Sequence, residues 1–404
     1  MTNFRDQFPI FTNNPDLVYL DSASTTQKPK YVIDKTSEYI ATSYANVGRG
    51  SYDLAEKSDY YYYWCKELIG KQINASSSEL FWWYNATHCT NIIAYSLAQS
   101  WYLPSWWEII VSKAEHHSNI LIRQELAIRY NLTVRWVWLT SEYTIDMVEL
   151  QSLVNKKTCL TCLTLCSNVL GIKNNLSQVR KIIWKNSLLF VDWSQAIPNY
   201  PVDVQLIDAD FMVFSWHKFL AYTWLGVWYI KKSLIKDLKP AIVWWGSIED
   251  INDTEIVYRS SIEKFEAWTP NIIGVVSLYH ALTWWEENQW YKELEKIEKE
   301  LLYYLFEQCP SLSDIITPLT TWVDNRIGIV TFKASNDKVS LRALSDYLNK
   351  HQLCVRVWWH CAYPLARYLW LNKETIRLSL YIYNTKSDID FFVKTVQNSI
   401  KEIS

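Results

Sequence analysis

The strongest constraint on the fold is a regular alternation of short apolar runs with helical patterns through the first two thirds of the chain. Each apolar run is brief, rich in β-branched and aromatic residues and bounded by polar turns, which is typical of a buried strand. The predicted strands cover 107–113, 158–165, 187–193, 210–215 and 226–232, with helical patterns at 121–130 and 176–185. This alternation predicts an α/β fold in which a mostly parallel sheet is flanked by helices on both faces.

The pattern changes in the last third of the chain, after one long helical stretch. That stretch covers 275–308 and carries charges at i, i+4 spacing, so we expect it to bridge two domains. The runs beyond Pro310 predict a smaller α+β domain, with strands at 326–332, 353–357 and 375–381 and a helix near 339–350. The expected organisation is a large domain over 20–275, a connecting helix over 276–294, and a small domain made of 1–19 and 295–404.

Composition narrows the class of protein. The chain has 404 residues and a formal net charge of −2, so nothing indicates a nucleic-acid or membrane partner. It begins without a basic and then apolar segment and has no apolar run of about 18 residues, so we expect neither a signal peptide nor a transmembrane helix. Eight scattered cysteines indicate free thiols and a cytoplasmic location. Cys159 and Cys162 form a C-x-x-C inside an apolar run without a second ligand pair, so no metal site is predicted.

Lys218 lies just after the predicted strand 210–215, in the segment FSWHKFL. A desolvated lysine has a lowered pKa and attacks an aldehyde, so Lys218 is either a candidate for a covalent link to a cofactor or an ordinary surface lysine. Asp192 ends another apolar run, where its carboxylate can pair with a protonated pyridine nitrogen or cap a helix. Gln195, three residues later, can donate a hydrogen bond to a ring hydroxyl.

Two more strand ends carry polar side chains. His116, in AEHHSNI, follows the strand 107–113 and can stack on a flat cofactor and shuttle protons, although a lone histidine is usually structural. Asn168, in SNVLG, follows the strand 158–165. Ligands of open α/β sheets bind beyond the carboxyl ends of the strands. We therefore expect His116 and Asn168 to share one crevice with the residues of the other strand ends.

The segment YNATHCTN (84–91) can open a helix with free backbone N–H groups beside Thr87. Helix N-termini bind phosphate, so this segment is a candidate phosphate site that Ser215 and His217 can complete. An ordinary capped helix explains the segment equally well.

Cys361 lies in VRVWWHCAYPL, in a predicted loop after His360 and near Arg356. A thiol near cationic groups has more thiolate character and is a better nucleophile, whereas a free thiol is usually buried and inert. Arg377, in the predicted strand 375–381, can clamp a substrate carboxylate through two hydrogen bonds or form a structural salt bridge.

Taken together, these segments resemble the class V aminotransferase family, and within it the group II (SufS-like) cysteine desulfurases. Nine segments in family order carry the resemblance: YLDSASTTQKP (19–29), ANVGRGSYDLAEK (45–57), AEHHSNI, SNVLG, VDWSQA, FSWHK, FEAWTPN (265–271), VRVWWHCAYPL and RLSLYIYNT (377–385). The resemblance implies fold type I of the pyridoxal-phosphate (PLP) enzymes, PLP as cofactor, and a homodimer with the site at the interface.

The resemblance also implies a role for each matched residue. On the cofactor side it assigns the covalent link to Lys218, ring stacking to His116, the pyridine nitrogen to Asp192, the ring oxygen to Gln195, and the phosphate to Thr87, Ser215, His217 and Thr269, the last from a second subunit. On the substrate side it assigns the carboxylate of L-cysteine to Asn168 and Arg377, with Arg356 beside them. Cys361 would take the sulfur as a persulfide and release L-alanine. A separate acceptor protein would then carry the sulfur to iron–sulfur cluster assembly.

The chain departs from the family in one systematic way. It has tryptophan where the family has glycine at Trp193, Trp216, Trp224, Trp268 and Trp358, and Trp244 and Trp245 precede Gly246 where three glycines are usual. Average glycine usage of about 7% would give roughly 28 glycines, whereas the chain has 8 glycines and 23 tryptophans. We hypothesise that most of these tryptophans come from UGA codons, which some bacterial lineages decode as glycine. Indoles at such positions would otherwise crowd the cofactor pocket.

Two alternatives remain open at this point. The chain also resembles selenocysteine lyases and other class V PLP enzymes, so the first alternative is that it is one of these and acts on a substrate other than L-cysteine. If the tryptophans are real, the chain can instead be an inactive homologue that acts as a binding scaffold.

Overall fold

The structure, a computed structural model, describes residues 4–48, 50–266 and 269–400. Its strands are β1 (Val18–Tyr19), β2 (Leu80–Trp83), β3 (Glu108–Ser112), β4 (Thr133–Val137), β5 (Thr158–Thr164), β6 (Leu188–Asp192), β7 (Phe211–Ser215), β8 (Gly226–Ile230), β9 (Ile248–Ile251), β10 (Ile256–Tyr258), β11 (Ile316–Pro318), β12 (Ile329–Ala334), β13 (Leu353–Cys354), β14 (Arg356–Trp358) and β15 (Thr375–Ser379). Its α-helices are α1 (Pro9–Asn13), α2 (Lys30–Thr42), α3 (Asp53–Ile73), α4 (Ala86–Gln99), α5 (His117–Tyr130), α6 (Met147–Leu153), α7 (Val179–Ile182), α8 (Val204–Ile207), α9 (Lys232–Ile235), α10 (Ile272–Glu287), α11 (Trp290–Gln308), α12 (Leu341–Lys350), α13 (Tyr363–Tyr368) and α14 (Lys386–Asn398).

The large sheet has seven strands in the order β2-β8-β7-β6-β5-β3-β4. Strand β8 is antiparallel to both of its neighbours, and the other pairs are parallel. The five strands predicted from the sequence all lie in this sheet. Their carboxyl ends therefore reach the same edge, with the exception of the reversed β8, and this confirms the predicted α/β architecture.

Both faces of the large sheet are covered, which explains why its strands are apolar throughout. Leu189 and Val191 point into one core layer with helices α2, α3 and α10, whereas Leu188 and Phe190 point into a second layer with α4 and α5. Successive residues of a strand face opposite sides, so a strand buried on both sides needs an uninterrupted apolar run.

A second, antiparallel sheet has four strands in the order β11-β12-β15-β14. Its apolar side packs on helices α11, α12 and α14 in a separate core layer. The chain's first strand also joins this region, because β1 pairs in parallel with β13 and Asp21 bridges to Ser379 of β15. The predicted α+β character of the last third is confirmed.

Two helix predictions differ from the structure. The stretch 275–308 forms two helices, because Gln289 adopts a left-handed conformation (φ 47°) that interrupts the backbone hydrogen bonds. The break also lies inside the predicted connecting helix 276–294. It lets Trp290 turn inward and donate a hydrogen bond to the carbonyl of Pro198. The predicted helix 176–185 is shorter, since only α7 (Val179–Ile182) is α-helical.

Among the residues that the structure describes, none of the helices is both long and apolar enough to cross a bilayer.

Candidate active site

The polar residues after the strands meet in one cavity of about 630 Å³ at the carboxyl edge of the large sheet. Eleven of the twelve predicted site residues line it: Thr87, His116, Asn168, Asp192, Gln195, Ser215, His217, Lys218, Arg356, Cys361 and Arg377. The twelfth, Thr269, lines a different cavity of about 580 Å³. The last three residues of the first set come from the second sheet and the loop after β14, so both sheets contribute to the wall.

Lys218 ends a short 3-10 helix that directly follows β7. Burial lowers the pKa of its ammonium group to about 8, and the nearby Asp192 carboxylate opposes that change. A substantial fraction of the amine is therefore uncharged near neutral pH, unlike that of a surface lysine. Lys218 can act as a nucleophile or a proton acceptor in this state.

His116 caps helix α5 with its ring. Its Nδ1 accepts a hydrogen bond from the backbone N–H of Ser118 (3.1 Å), which places the ring proton on Nε2. Burial, reinforced by the charge of Lys218, lowers the pKa of His116 to about 4. The imidazole is therefore neutral at physiological pH and held in one orientation on the cavity wall.

Asp192 and Gln195 are both buried at the end of β6. An oxygen of the Asp192 carboxylate accepts from the backbone N–H of Ser194 (2.9 Å), and the Gln195 amide donates to the carbonyl of Ala23 (2.9 Å). These bonds fix both side chains, and each keeps hydrogen-bonding capacity toward the cavity.

Glu115 is a residue of the site region that the sequence reasoning missed. Its fully buried carboxylate accepts from the backbone N–H of Thr164 (2.7 Å) and from the amide of Asn119 (2.8 Å), and it also contacts Ser112. Burial raises the pKa of Glu115 to about 8. The side chain ties the end of β3 to the end of β5, and so fixes the backbone that carries His116. An acidic residue at a strand end, directly before two histidines, was the available signal.

Helix α4 points its N-terminus at the cavity. Asn85 caps the helix by accepting from the N–H of His88 (2.9 Å), and the hydroxyl of Ser215 accepts from the N–H of Ala86 (2.8 Å). Thr87 lines the cavity at the same turn. Gly226 makes this approach of β8 to the helix possible, because a Cβ there would lie 2.7 Å from the Cα of Asn85.

Arg377, on β15, reaches the cavity from the small sheet. Its guanidinium donates to the carbonyl of Asn168 (2.8 Å) and to the hydroxyl of Ser24 (2.9 Å), and it pairs with Asp21 (3.2 Å). Arg356 donates to the same Ser24 hydroxyl (2.7 Å). The sequence reasoning gave no role to Asp21 or Ser24, which hold the two arginines side by side.

The thiol of Cys361 lines the cavity and is partly exposed. His360 beside it is buried and hydrogen-bonded to the Thr375 hydroxyl (2.9 Å), and burial holds its pKa well below the ordinary range. His360 is therefore neutral. The Lys218, Arg356 and Arg377 side chains, which are cationic when protonated, line the same cavity as the thiol.

The tryptophans at family glycine positions differ in burial, in backbone conformation and in whether they line the cavity. Trp193 and Trp216 are fully buried, and their indole N–H groups have no hydrogen-bond partner among the described residues. Trp224 lines the cavity and is 66% exposed. Trp358 has φ 147° at the end of β14. Trp268 lies outside the described residues. Among the described tryptophans at these positions, Trp224 is the one on the cavity wall, whereas Trp244 and Trp245 line the cavity that holds Thr269.

Four buried polar atoms on the cavity wall have no hydrogen-bond partner within the described part of the chain. They are the Ser194 hydroxyl, Nε of Arg377, Nδ1 of His217 and Nδ1 of His360, and the first two are donors. Buried polar groups are normally satisfied, so unpaired ones at a cavity indicate a ligand. Donors suit an anionic ligand with acceptor oxygens, such as a phosphate or a carboxylate.

Comparison with known proteins identifies the family. The family model described as aminotransferase class-V matches residues 18–392. The chain belongs to the aminotransferase class-V family. It is 31% identical to a probable cysteine desulfurase of Staphylococcus epidermidis, over 97% of this chain and 95% of that protein. It is 32% identical to a cysteine desulfurase of Escherichia coli O157:H7, over 97% and 96%.

Solved structures agree with this assignment. The apo cysteine desulfurase of Thermococcus onnurineus NA1 superimposes with a TM-score of 0.90 at 25% identity, covering 98% of this chain and 97% of that one. The cysteine desulfurase CsdA of Escherichia coli has a TM-score of 0.88 at 28% identity, covering 99% and 98%. The cofactor of this chain, as a member of the aminotransferase class-V family, is pyridoxal phosphate. The unpaired donors and the buried lysine fit that group, which carries both an aldehyde and a phosphate.

Proposed function

We propose that this chain is a PLP-dependent cysteine desulfurase that converts L-cysteine to L-alanine and keeps the sulfur as a persulfide on Cys361. The observation that carries the proposal is the meeting of Lys218, Arg377 and Cys361 in one cavity. A buried amine, a carboxylate clamp and a thiol are the three groups that the reaction needs from the protein. The desulfurase relatives support the choice of reaction.

The residues of the large sheet would hold the cofactor. Lys218 would bind its aldehyde, Asp192 its pyridine nitrogen, and Gln195 its ring oxygen, with His116 against the ring. The phosphate would lie at the N-terminus of α4, within reach of the Thr87, Ser215 and His217 donors. When bound, the cofactor supplies an electron sink for the carbon–sulfur cleavage.

Arg377 and Asn168 would orient the substrate. The Arg377 guanidinium still has an unpaired buried Nε–H, so a carboxylate can add a charge-assisted hydrogen bond without displacing the Asp21 contact. Arg356 adds a second positive charge on the same side. Because Lys218 and Cys361 line the same cavity as Arg377, a substrate held by its carboxylate would be within the same space as both reactive residues.

Lys218 would move the proton at Cα, because its pKa of about 8 leaves part of the amine free to accept a proton near neutral pH. Cys361 would then attack as a thiolate. A sulfur–sulfur bond forms as the carbon–sulfur bond of L-cysteine breaks. The electron pair of the broken bond stays with carbon, which is reprotonated and leaves as L-alanine.

Several finer points belong to the same proposal. A homodimer would place Thr269 of one chain near the phosphate site of the other, and its position in a second cavity within its own chain is compatible with that role. A dedicated acceptor protein would take the persulfide sulfur for iron–sulfur cluster assembly in the cytoplasm. The spacing R-x-x-x-H-C-x-x-P at Arg356 to Pro364 supports the group II type, which depends on such a partner.

The test is to incubate the purified protein, loaded with PLP, with L-cysteine and to measure both alanine and protein-bound persulfide. We expect equal early yields of the two products. Cys361→Ala should abolish the persulfide and retain the visible absorption of the lysine-linked cofactor. Persulfide formation at wild-type rates in Cys361→Ala would refute the assigned role, and faster turnover of selenocysteine with little from cysteine would favour a selenocysteine lyase instead.

A further inference from the structure

Five tryptophans of this chain have backbone conformations that favour glycine. Among the described residues, fifteen that are not glycine have positive φ, and five of these are tryptophan, against three asparagines. Left-handed backbone is disfavoured for residues with a Cβ, and Asn is the residue that ordinarily tolerates it best. The five are Trp101 (φ 63°), Trp106 (69°), Trp224 (64°), Trp358 (147°) and Trp370 (53°).

The side chains of these five tryptophans give little stability in return. They are 84%, 70%, 66%, 49% and 89% exposed, in chain order. An indole stabilises a fold mainly through the apolar area that it buries, and its N–H is usually paired when it is buried. Trp284 and Trp290 meet that description, since they are buried in helices and donate to Gln7 (2.9 Å) and to Pro198 (3.0 Å).

We infer that Trp101, Trp106, Trp224, Trp358 and Trp370 are glycine in the protein that its own cells make, through UGA codons decoded as glycine. The inference rests on backbone angles and exposure, and it is therefore independent of any family pattern. It adds Trp101, Trp106 and Trp370 to the positions suspected from the sequence. It also accounts for part of the shortage of glycine, with 8 in 404 residues.

The substitution changes the active site at two points. Glycine at 224 removes an exposed indole from the cavity wall beside the N-terminus of α4, where the ring now contacts Tyr84. Glycine at 358 gives the backbone before Cys361 a conformation that it adopts without steric strain. We therefore expect the glycine form to admit the cofactor more readily and to place the thiol loop more reproducibly.

The decisive measurement is peptide mass spectrometry of the protein purified from its native cells. We expect peptides covering the five positions to carry glycine and peptides covering Trp284 and Trp290 to carry tryptophan. Tryptophan in the native peptides at the five positions, or UGG codons there in the gene, overturns the inference.

A second measurement uses the recombinant protein. A quintuple (fivefold-substituted) variant with W101G, W106G, W224G, W358G and W370G is compared with the double variant W284G/W290G. We expect the fivefold variant to raise the midpoint of thermal unfolding and to take up PLP faster, by its visible absorption, and the double variant to lower the midpoint. A lower midpoint in the fivefold variant counts against the inference.

A different set of contacts concerns the loop that carries the thiol. His117, the second histidine of AEHHSNI, contacts this loop three times. Its backbone N–H donates to the carbonyl of Cys361 (2.7 Å), and its Nε2 accepts from the backbone N–H of Tyr363 (2.7 Å). Its ring also stacks on that of Tyr363, with centroids 5.2 Å apart and planes 7° from parallel.

These contacts hold the backbone on the carboxyl side of the thiol residue. Cys361 and His360 both have positive φ (56° and 48°), so the loop needs external bonds to keep this conformation. Asn168 supplies another by donating to the carbonyl of His360 (2.7 Å). Because Nε2 of His117 accepts a hydrogen bond, the ring must be neutral, and partial burial lowers its pKa in agreement with this state.

We propose that His117 is a positioning residue that sets the distance between the Cys361 thiol and the substrate sulfur. The proposal rests on the proposed desulfurase function. It distinguishes the two adjacent histidines, since His116 faces the cavity and His117 holds the opposite domain's loop. A displaced thiol lowers the rate of sulfur attack without affecting the cofactor or the substrate carboxylate.

The test compares His117→Ala, His117→Gln and His351→Ala, the last an exposed histidine on the small domain. In His117→Ala we expect unchanged cofactor absorption, a KM for L-cysteine close to wild type, and a kcat lower by about ten- to hundredfold, as a displacement of the reacting atom predicts. His117→Gln keeps an acceptor and should recover part of the rate. His351→Ala should behave as wild type.

Alkylation of Cys361 by iodoacetamide separates this idea from the desulfurase proposal, because it needs no turnover. We expect faster alkylation in His117→Ala than in wild type, with His117→Gln between them. If wild type, His117→Ala and His117→Gln have equal alkylation rates and equal kcat values, the positioning role is refuted, even if the wild-type protein is an active desulfurase. Altered alkylation in a protein that forms no alanine leaves the positioning intact and refutes the function.

Discussion

The two sides of the active site are built differently. On the large sheet, Asp192 ends β6 and Lys218 lies just beyond the adjacent parallel strand β7, and a buried bond from the N–H of Ser194 fixes the Asp192 carboxylate. On the side of the second sheet, Cys361 lies in a loop with left-handed backbone, and Asn168, beyond the end of β5, donates a hydrogen bond that fixes this loop. The comparison indicates that the cofactor side is rigid by construction, whereas the sulfur-accepting side depends on contacts made across the cavity.

Replacing Lys218 tests the rigid side and should have the largest effect. Lys218→Ala removes both the link to the cofactor and the proton acceptor, so we expect alanine formation to fall on the order of 10²–10⁴-fold or more. The visible absorption of the lysine-linked cofactor should disappear as well. Cys361→Ala, on the other side, should retain that absorption. Loss of the cofactor absorption in both variants would show that cofactor binding depends on the thiol side as well, contrary to the comparison above.

Replacing Arg377 tests the boundary between the sides. Arg377→Lys keeps a positive charge but loses the planar pair of donors, so the unpaired Nε–H can no longer meet a carboxylate. We expect the KM for L-cysteine to rise about 10–100-fold, which corresponds to one charge-assisted hydrogen bond of ~1.5–3 kcal/mol. Arg129→Lys, on the exposed face of α5, is the matched control. An unchanged KM in Arg377→Lys would remove this residue from substrate binding.

The pH dependence of cofactor capture gives the smallest and most specific effect. The protein without cofactor should take up PLP at a rate that rises with pH and is half-maximal near the Lys218 pKa of about 8, because the neutral amine is the reactive form. The Asp192 charge raises that pKa, so Asp192→Asn should move the midpoint to lower pH. Asp34→Asn, at an exposed ion pair with Lys30 on α2, should leave it in place. A midpoint that rises in Asp192→Asn would contradict the charge effect.

The sequence was sufficient to predict the rigid side of the site. Parallel strands bring their carboxyl ends together, so local apolar runs were enough to group His116, Asn168, Asp192 and Lys218. The contacts of the other side were not predictable in this way. The pairing of Arg377 with Asp21 joins residues 356 positions apart, and the bonds from His117 to the thiol loop have no periodic signal.

The break between α10 and α11 was missed for a related reason. Residues on either side of Gln289 have ordinary helical preferences, and the left-handed turn serves the burial of Trp290 against Pro198, a tertiary contact. The domain boundaries at 275 and 295 therefore remain predictions. Likewise, the placement of Thr269 beside a second chain depends on an assembly that one sequence does not describe.

The pairing of β1 with β13, and of Asp21 with Ser379, has a consequence for biosynthesis. Strand β1 is synthesised before β2 to β8 but cannot pair until β13 has been made, whereas the large sheet from β2 to β8 can form earlier. Closing a contact over more than three hundred residues is entropically slow. We expect nascent chains to acquire the cofactor-binding half first, and the reactive thiol to reach its final place only after synthesis ends.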